Sequence, residues 1–338
     1  MAMAMATLGD WLEPHPNGLY VRPADAWIDP STPRPRALVT HGHADHARGG
    51  HGAVWATRAT LAIMAVRYGE QAGHPLDYGE TIRLGAVDVR FVPAGHVLGS
   101  AQIVLDHRGE RVVVSGDYKR RADPTCAPFE PVACDVFVTE ATFGLPVFRH
   151  PAIGDEIDKL LAALRADPAR CVLVGAYALG KAQRVIAELR ARGHHAPIYI
   201  HGALQRLCDL YEAHGVPLGE LIPATGMAKA AIAGHVVLAP PAALNDRWSR
   251  RLPDPLTAMA SGWMRVRQRA RQRNIELPLI LSDHADWDEL TATIREIAPR
   301  EVWVTHGREE ALVHWCRTHQ ISARALALAG FEDEDEDD

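Results

Sequence analysis

Apolar positions in the first 140 or so residues come in short runs separated by glycine- and proline-containing loops. Ala37-Leu38-Val39-Thr40 reads as a short buried strand, and Val87 to Val92 alternates as a strand with two unlike faces does. Ala101 to Leu105 and Arg111 to Val114 flank Asp106-His107-Arg108-Gly109-Glu110, the pattern of a hairpin turn. Val136 to Thr139 is another apolar strand. Few helical periods intervene, so this part predicts a sheet-rich layer.

From about Gly154 the period changes. Ile157 to Leu164 and Ala182 to Arg192 repeat as helices, with Cys171 to Val174 and Pro197 to Ile200 as buried strands between them. Alternating helix and strand predicts a parallel α/β sheet. After Pro278 strand–loop–helix units return, ending in the strand Glu301 to Thr305 and the helix Glu309 to His319. The pattern predicts one hydrolase domain in two sequence pieces, 1–144 and 278–328, with a small α/β domain, 145–277, inserted between them. Residues 329–338 are expected to form a disordered acidic tail.

Composition changes this picture little. The 338 residues are 47% hydrophobic and 23% charged, ordinary for a soluble globular protein. No apolar run is long enough to span a bilayer, and Met1 to Ala6 lack the charged start of a signal peptide, so a cytoplasmic, nucleoid-associated location is expected, with no membrane partner. The net charge of −6 comes from the end of the chain. Glu332 to Asp338 are all acidic, and without those seven the balance is 36 basic to 35 acidic residues. Such a run is a solvated tail or, as a lesser reading, a nucleic-acid mimic. Five cysteines with no Cys-x-x-Cys pair argue against a disulfide framework or a thiolate zinc site. Eighteen histidines, several grouped with Asp and Gly, point instead to imidazole–carboxylate metal sites.

The strongest group is Thr40-His41-Gly42-His43-Ala44-Asp45-His46, directly after the strand at Ala37. His41 and His43, two apart on extended backbone, face one side and can share an ion. Asp45 and His46 follow where the chain is expected to begin a helix, and so turn toward a second ion nearby. Gly42 is read as letting the backbone pass close to the ions. A His-rich surface turn is the bland alternative, and four ligands in six residues weigh against it. His96, in Gly95-His96-Val97, and Asp117, in Gly116-Asp117-Tyr118, are weak alone, a loop histidine and a turn former. Both nevertheless follow strands, where loops gather catalytic groups.

The series His41-x-His43-x-Asp45-His46, then Gly95-His96, then Gly116-Asp117, resembles the motifs of the metallo-β-lactamase superfamily. Asp29, in Trp27-Ile28-Asp29-Pro30, resembles the early Asp that supports the ligands from behind. Glu140, in Val138-Thr139-Glu140, His284, in Ser282-Asp283-His284-Ala285-Asp286, and His306, in Val304-Thr305-His306-Gly307, resemble the three later motifs of its β-CASP nucleases. The likeness runs from about Leu12 to Ala327, and in particular the chain resembles the bacterial ligase-associated DNA damage response exonucleases. The resemblance implies an αββα sandwich with an inserted β-CASP-like α/β domain. It implies two divalent ions, zinc expected and manganese the alternative, one held by His41, His43 and His96, the other by Asp45, His46 and His306, with Asp117 bridging. Asp45, Glu140 and His284 are the residues it implies for catalysis, His284 as general acid oriented by Glu140. The implied activity is a metal-dependent DNA exonuclease of repair, with DNA as partner and a ligase and helicase of the same pathway beside it. His306 is shared with RNA processors of the family, where eukaryotic DNA-cutting members carry a small apolar residue, so an RNA-processing nuclease is the alternative.

Two features are ambiguous. Gly175-Ala-Tyr-Ala-Leu-Gly180-Lys181-Ala182 matches a phosphate-binding loop except that Ala182 replaces the magnesium-holding hydroxyl. The milder reading lets Tyr177 and Lys181 pack or touch substrate phosphates. Arg265, Arg267, Arg269, Arg271 and Arg273 would spread around a helix, as a solvated face or a phosphate-tracking surface. Lys119, Arg120 and Arg121, just after Asp117, are better placed to meet substrate. A small-ester or thioester hydrolase is the remaining enzyme class, and it would need neither His284 nor His306.

Overall fold

A computed structural model of the chain describes residues 8–326. The Met-Ala start and the acidic run from Glu332 lie outside the described residues. Contacts divide the described chain into two units, one of residues 8–122, 126–147 and 284–326, the other of 123–125 and 148–283.

The first unit contains two sheets. One has six strands in the order Leu12–His15, Gly18–Val21, Ala26–Ile28, Ala37–Leu38, Val54–Thr57 and Gly73–Leu76. The other has seven, in the order Ser322–Ala325, Glu301–Gly307, Val136–Ala141, Glu110–Val114, Ala101–His107, Val87–Pro93 and Thr81–Leu84. Alternation explains how the second sheet sits. Phe91, Ile103, Leu105, Val112, Val114, Val136, Val138 and Trp303 point into a core shared with Leu19, Val21, Ile28 and Leu38 of the first sheet. The residues between them, Val92, Val104, Val113, Phe137, Val302 and Val304, point the other way, onto the helices Trp287–Ile297 and Glu309–Thr318. Ala37, Val39, Val54 and Ala56 pack on Met64 and Leu61 of the helix Arg58–Tyr68. The layers are therefore helix, sheet, sheet, helix. Both faces of the central strands of the seven-stranded sheet are covered, which is why Ala101–His107, Glu110–Val114 and Val136–Ala141 carry apolar runs. Each fully buried aliphatic or aromatic side chain contributes about 1.5–3 kcal/mol, so these layers rather than any ion hold the unit together.

The second unit carries a six-stranded, wholly parallel sheet: Leu221–Pro223, Ile198–Ile200, Val236–Ala239, Val172–Gly175, Leu256–Ala260 and Leu277–Leu279. The helices Ile153–Ala166, Lys181–Ala191 and Gly202–Ala213 connect or flank these strands. The unit ends later than the junction expected near Pro278, because Leu277–Leu279 pairs with Leu256–Ala260 as an edge strand and the unit runs on to Asp283. The arginine-rich stretch is not one helix. It is a short 3-10 turn, Gly262–Arg265, and a six-residue helix, Arg267–Gln272, with Arg269 lying 4.2 Å over the Trp263 ring. None of the five cysteines, all among the described residues, forms a disulfide. Among the described residues no helix is long and apolar enough to cross a membrane.

Candidate metal centre

Sheet topology explains why scattered motifs converge. Glu110–Val114, Val136–Ala141 and Glu301–Gly307 run parallel, and Val87–Pro93, two antiparallel steps from Glu110–Val114, points the same way. The segments carrying His96, Asp117, Glu140 and His306 thus share one sheet edge. Ala26–Ile28 and Ala37–Leu38 are likewise parallel and deliver Asp29 and the His41 turn. That turn does not begin a helix: His46 N and Ala47 N both bond to the His43 carbonyl, closing a single turn.

Asp117 is the hub. Its Oδ2 lies 3.3 Å from His41 Nε2, 3.4 Å from His46 Nε2 and 3.7 Å from His96 Nε2. His43 Nδ1 faces His96 Nε2 at 3.0 Å, and Asp45 Oδ2 lies 3.5 Å from His46 Nε2. The His306 ring stands 5.0 Å from that of His46. Two overlapping clusters result, His41–His43–His96–Asp117 and His46–Asp117–His306, with Asp45 beside His41 and His46. Ligand atoms on a tetrahedral ion with bonds of about 2.0–2.1 Å lie roughly 3.3 Å apart, so the observed spacings suit divalent ions better than hydrogen bonds.

The imidazoles are oriented from behind. His46 Nδ1 donates to Asp29 Oδ2 at 2.8 Å, while Thr40 donates to the same carboxylate through both its amide (2.8 Å) and its hydroxyl (2.6 Å). The hydroxyl in turn lies 3.1 Å from His41 Nδ1, whose N–H it accepts. Both rings therefore present Nε2 to Asp117, the tautomer a ligand needs. Electrostatics agree. Burial, reinforced by the charge on His46, lowers His41 to about 3, and the same causes lower His306 to about 3. His96 lies well below the ordinary range through burial and the surrounding imidazoles. Burial opposes charge on His46 too, but Asp117 and Asp45 outweigh it and hold its proton on. Burial also opposes charge on Asp117, yet His46 and His284 keep it ionised. A cation at the centre would replace the His46 proton, which is how metal binding couples to deprotonation.

Glu140 and His284 form a second element of the site. Glu140 Oε1 accepts from Tyr118 N at 2.7 Å, and Oε2 lies 2.9 Å from His284 Nδ1. Burial raises the Glu140 carboxyl, with the His284 charge pulling the other way. His284 Nδ1 is 4.0 Å from Asp117 Oδ2, so Asp117, Glu140 and His284 could also hold a cation. The 2.9 Å contact with Glu140 sets the direction in which the His284 ring points.

Two site residues lie in left-handed backbone that non-glycine residues rarely adopt: Asp29 (φ 45°) and His306 (φ 59°). At His306 the pairing with Val136–Ala141 shifts register between Thr139 and Ala141, a bulge that also carries Glu140. Such strain, held by surrounding structure, re-aims side chains at functional sites.

Several expectations are corrected. Gly42 does not make room for ions: a Cβ there would meet Ile63 Cγ2 at 2.5 Å, so the glycine admits the helix Arg58–Tyr68. Lys119 is buried, and its ammonium donates to the His96 carbonyl at 3.3 Å, holding the His96 loop. Arg120 is paired with Glu296 and lies 5.7 Å from the Phe129 ring centroid. In the second unit Lys181 is buried against Asp283, 3.0 Å from Oδ2, and Tyr177 is half-buried with its carbonyl accepting from Ala182 N. Sequence reasoning missed Thr40, Tyr118 and Ser100, whose hydroxyl accepts from the His96 and Val97 amides. The polar neighbours of His41 and Asp117 were visible, but their partners lie far along the chain.

No family model matches the chain. A protein of Opitutus terrae named as a probable DNA ligase is 30% identical over 317 residues, which cover 92% of this chain and 30% of that protein. A ribonuclease of Thermus thermophilus is 32% identical over 208 residues, 52% of this chain and 48% of its own length. The chain spans less than half the length of either relative. Among solved structures, a protein of unknown function from Enterococcus faecalis V583 has a TM-score of 0.60 at 13% identity, over 87% of this chain and 79% of that one, a likeness of fold alone. From the layered fold, the convergent His/Asp motifs and these relatives, the chain belongs to the β-CASP branch of the metallo-β-lactamase superfamily.

Proposed function

We propose that the chain is a two-metal hydrolase of nucleic-acid phosphodiesters, and specifically a DNA exonuclease of repair. The observation that carries the hydrolase reading is the Asp117 carboxylate faced by three imidazole Nε2 atoms at 3.3–3.7 Å. His41, His43, His96 and Asp117 would hold one ion; Asp45, His46, Asp117 and His306 would hold the other. Imidazole and carboxylate donors suit zinc, with manganese the alternative. Bound there, two divalent ions supply Lewis-acid activation of water and neutralise charge building on the phosphoryl oxygens. The chain's own residues do the rest. Asp29 and Thr40 fix the ring tautomers, Ser100 and Lys119 hold the His96 loop, and Glu140 keeps Nδ1 of His284 protonated so that Nε2 delivers a proton to the leaving oxygen.

Alignment of 92% of this chain with a protein named as a DNA ligase supports DNA as substrate and a ligase as partner in one cytoplasmic repair pathway. His306 and the ribonuclease relative support RNA as the second reading. End-labelled single-stranded DNA, duplex DNA and RNA of one sequence, incubated with the protein and zinc or manganese, separate the two. Stepwise shortening of DNA with RNA intact is the expected result. Internal cuts in RNA with DNA intact would replace it with the second reading, and no cleavage of any of the three would reject both.

A further inference from the structure

We propose that Lys181 and Arg184, acting through Asp283, are positioning residues for His284; the inference rests on the reading of His284 as the proton donor. The phosphate-loop look-alike ends in a lysine, and the structure gives that lysine a different task. The helix Lys181–Ala191 places Lys181 and Arg184 one turn apart, and both side chains are buried, as is Asp283. Lys181 Nζ lies 3.0 Å from Asp283 Oδ2, and Arg184 Nη1 lies 3.1 Å from Asp283 Oδ1. The same guanidinium donates to the Ser282 carbonyl and pairs through Nε with Asp123 at 3.3 Å. Each oxygen of Asp283 is thus held by a different cation, and the backbone one residue earlier is held as well.

The residue after Asp283 is His284. Leu281 to Asp286 has no helix or strand to fix it. On the far side of His284, Ala285 N donates to the Tyr118 carbonyl at 2.6 Å. His284 is therefore clamped at the residues before and after it, while Glu140 fixes its ring. Two cations and two carboxylates taken out of water gain little net stability compared with apolar side chains of the same volume. What such a cluster does provide is one fixed geometry, and a general acid displaced by an ångström can lose about a hundredfold in rate. The expected signature is a loss confined to the step that uses the proton of His284.

The test uses the full chain with its metals. Lys181→Met and Asp283→Asn are made alone and in a His284→Ala background, with Lys181→Arg as the conservative variant. The oligonucleotide cleaved by the unaltered protein, which has an alkoxide leaving group, is compared with bis(p-nitrophenyl) phosphate, whose leaving group needs little protonation. Lys181→Met and Asp283→Asn are each expected to lower kcat on the oligonucleotide about 10–100-fold with KM and metal content unchanged, and to affect the aryl ester far less. Neither should lower the rate further once His284 is gone, because both act through it. Lys181→Arg should recover most of the loss. Amide exchange at Ala285 should accelerate in Lys181→Met while the strands of both units keep their protection. Unchanged exchange at Ala285 in a folded variant, equal loss on both substrates, or a full additional loss in the His284→Ala background would overturn the inference. If His284→Ala alone shows no leaving-group dependence, the proton-donor reading fails, and the exchange at Ala285 still decides whether the tether exists.

Discussion

The His41–His46 turn and the Gly175–Lys181 loop look alike in sequence, each a short buried strand followed by a glycine-bearing loop with charged or ligating residues. Their surroundings differ in kind. Around Asp117, imidazoles from four segments face one carboxylate at spacings that suit ions. Around Asp283, Lys181 and Arg184 meet the carboxylates of Asp283 and Asp123 at 3.0–3.3 Å, with Glu188 3.9 Å from Arg184, so the cations are already answered by carboxylates of the chain. A loop motif becomes a ligand site only when its partners leave donors in excess. Where cations and carboxylates of the chain already answer one another, the same kind of loop becomes a tether.

The largest effect that could break this contrast is loss of the ions. Chelation, or His41→Ala, should reduce phosphodiester hydrolysis to background, with the far-ultraviolet circular dichroism spectrum unchanged, because the two-sheet core rather than the centre stabilises the unit. Unfolding on chelation would mean that the ions are structural. Next in size, His284→Ala should keep its metals and slow oligonucleotide cleavage by ~10²–10⁴-fold, with partial rescue on an aryl phosphodiester. An emptied metal site in that variant would make His284 a ligand instead. Asp29→Asn keeps the shape but weakens the acceptor for His46 Nδ1 and Thr40. Metal affinity or activity should fall by about 10–100-fold, measured by competition with a chromogenic chelator. An unchanged affinity would show that the ring orientation is set elsewhere.

The smallest effect concerns Gly42. In Gly42→Ala the new methyl meets Cγ2 and Cβ of Ile63, a buried β-branched side chain with little rotamer freedom on its helix, and stability in urea should fall by about 1–3 kcal/mol through overpacking. Combining it with Ile63→Ala should cost less than the sum of the two changes. Strict additivity would mean that helix packing is not what the glycine serves.

Much of this was legible in the sequence, for identifiable reasons. The central strands of the seven-stranded sheet are covered on both faces, so Ala101–His107, Glu110–Val114 and Val136–Ala141 stand out as apolar runs, while Val87–Pro93 is legible by its alternation. The ligand motifs are legible because short loops at strand ends keep their donors close in sequence. The hairpin Leu12–His15 and Gly18–Val21 was passed over, since Pro14 sits inside a strand and Pro16-Asn17 forms its turn. The helix Arg58–Tyr68 hides because RATLAIMAVRY is apolar around much of its girth. Trp287–Ile297 does carry a signal, since Asp286 and Glu289 form a capping box, but in the sequence Asp286 also completes the His284 motif, which masks it. The partners of Lys119 and Lys181 are not legible, because a lysine's partner cannot be read locally. Asp283 lies 102 positions beyond Lys181, and the His96 carbonyl held by Lys119 belongs to another loop.

The count of ions per chain tests the central claim most directly. Protein stripped with chelator, reconstituted with zinc and freed of excess should contain two ions by elemental analysis. His306→Ala should lose one of them, and His284→Ala should retain both. One ion or none in the unaltered chain, or two retained in His306→Ala, would contradict the two-metal centre built on Asp117.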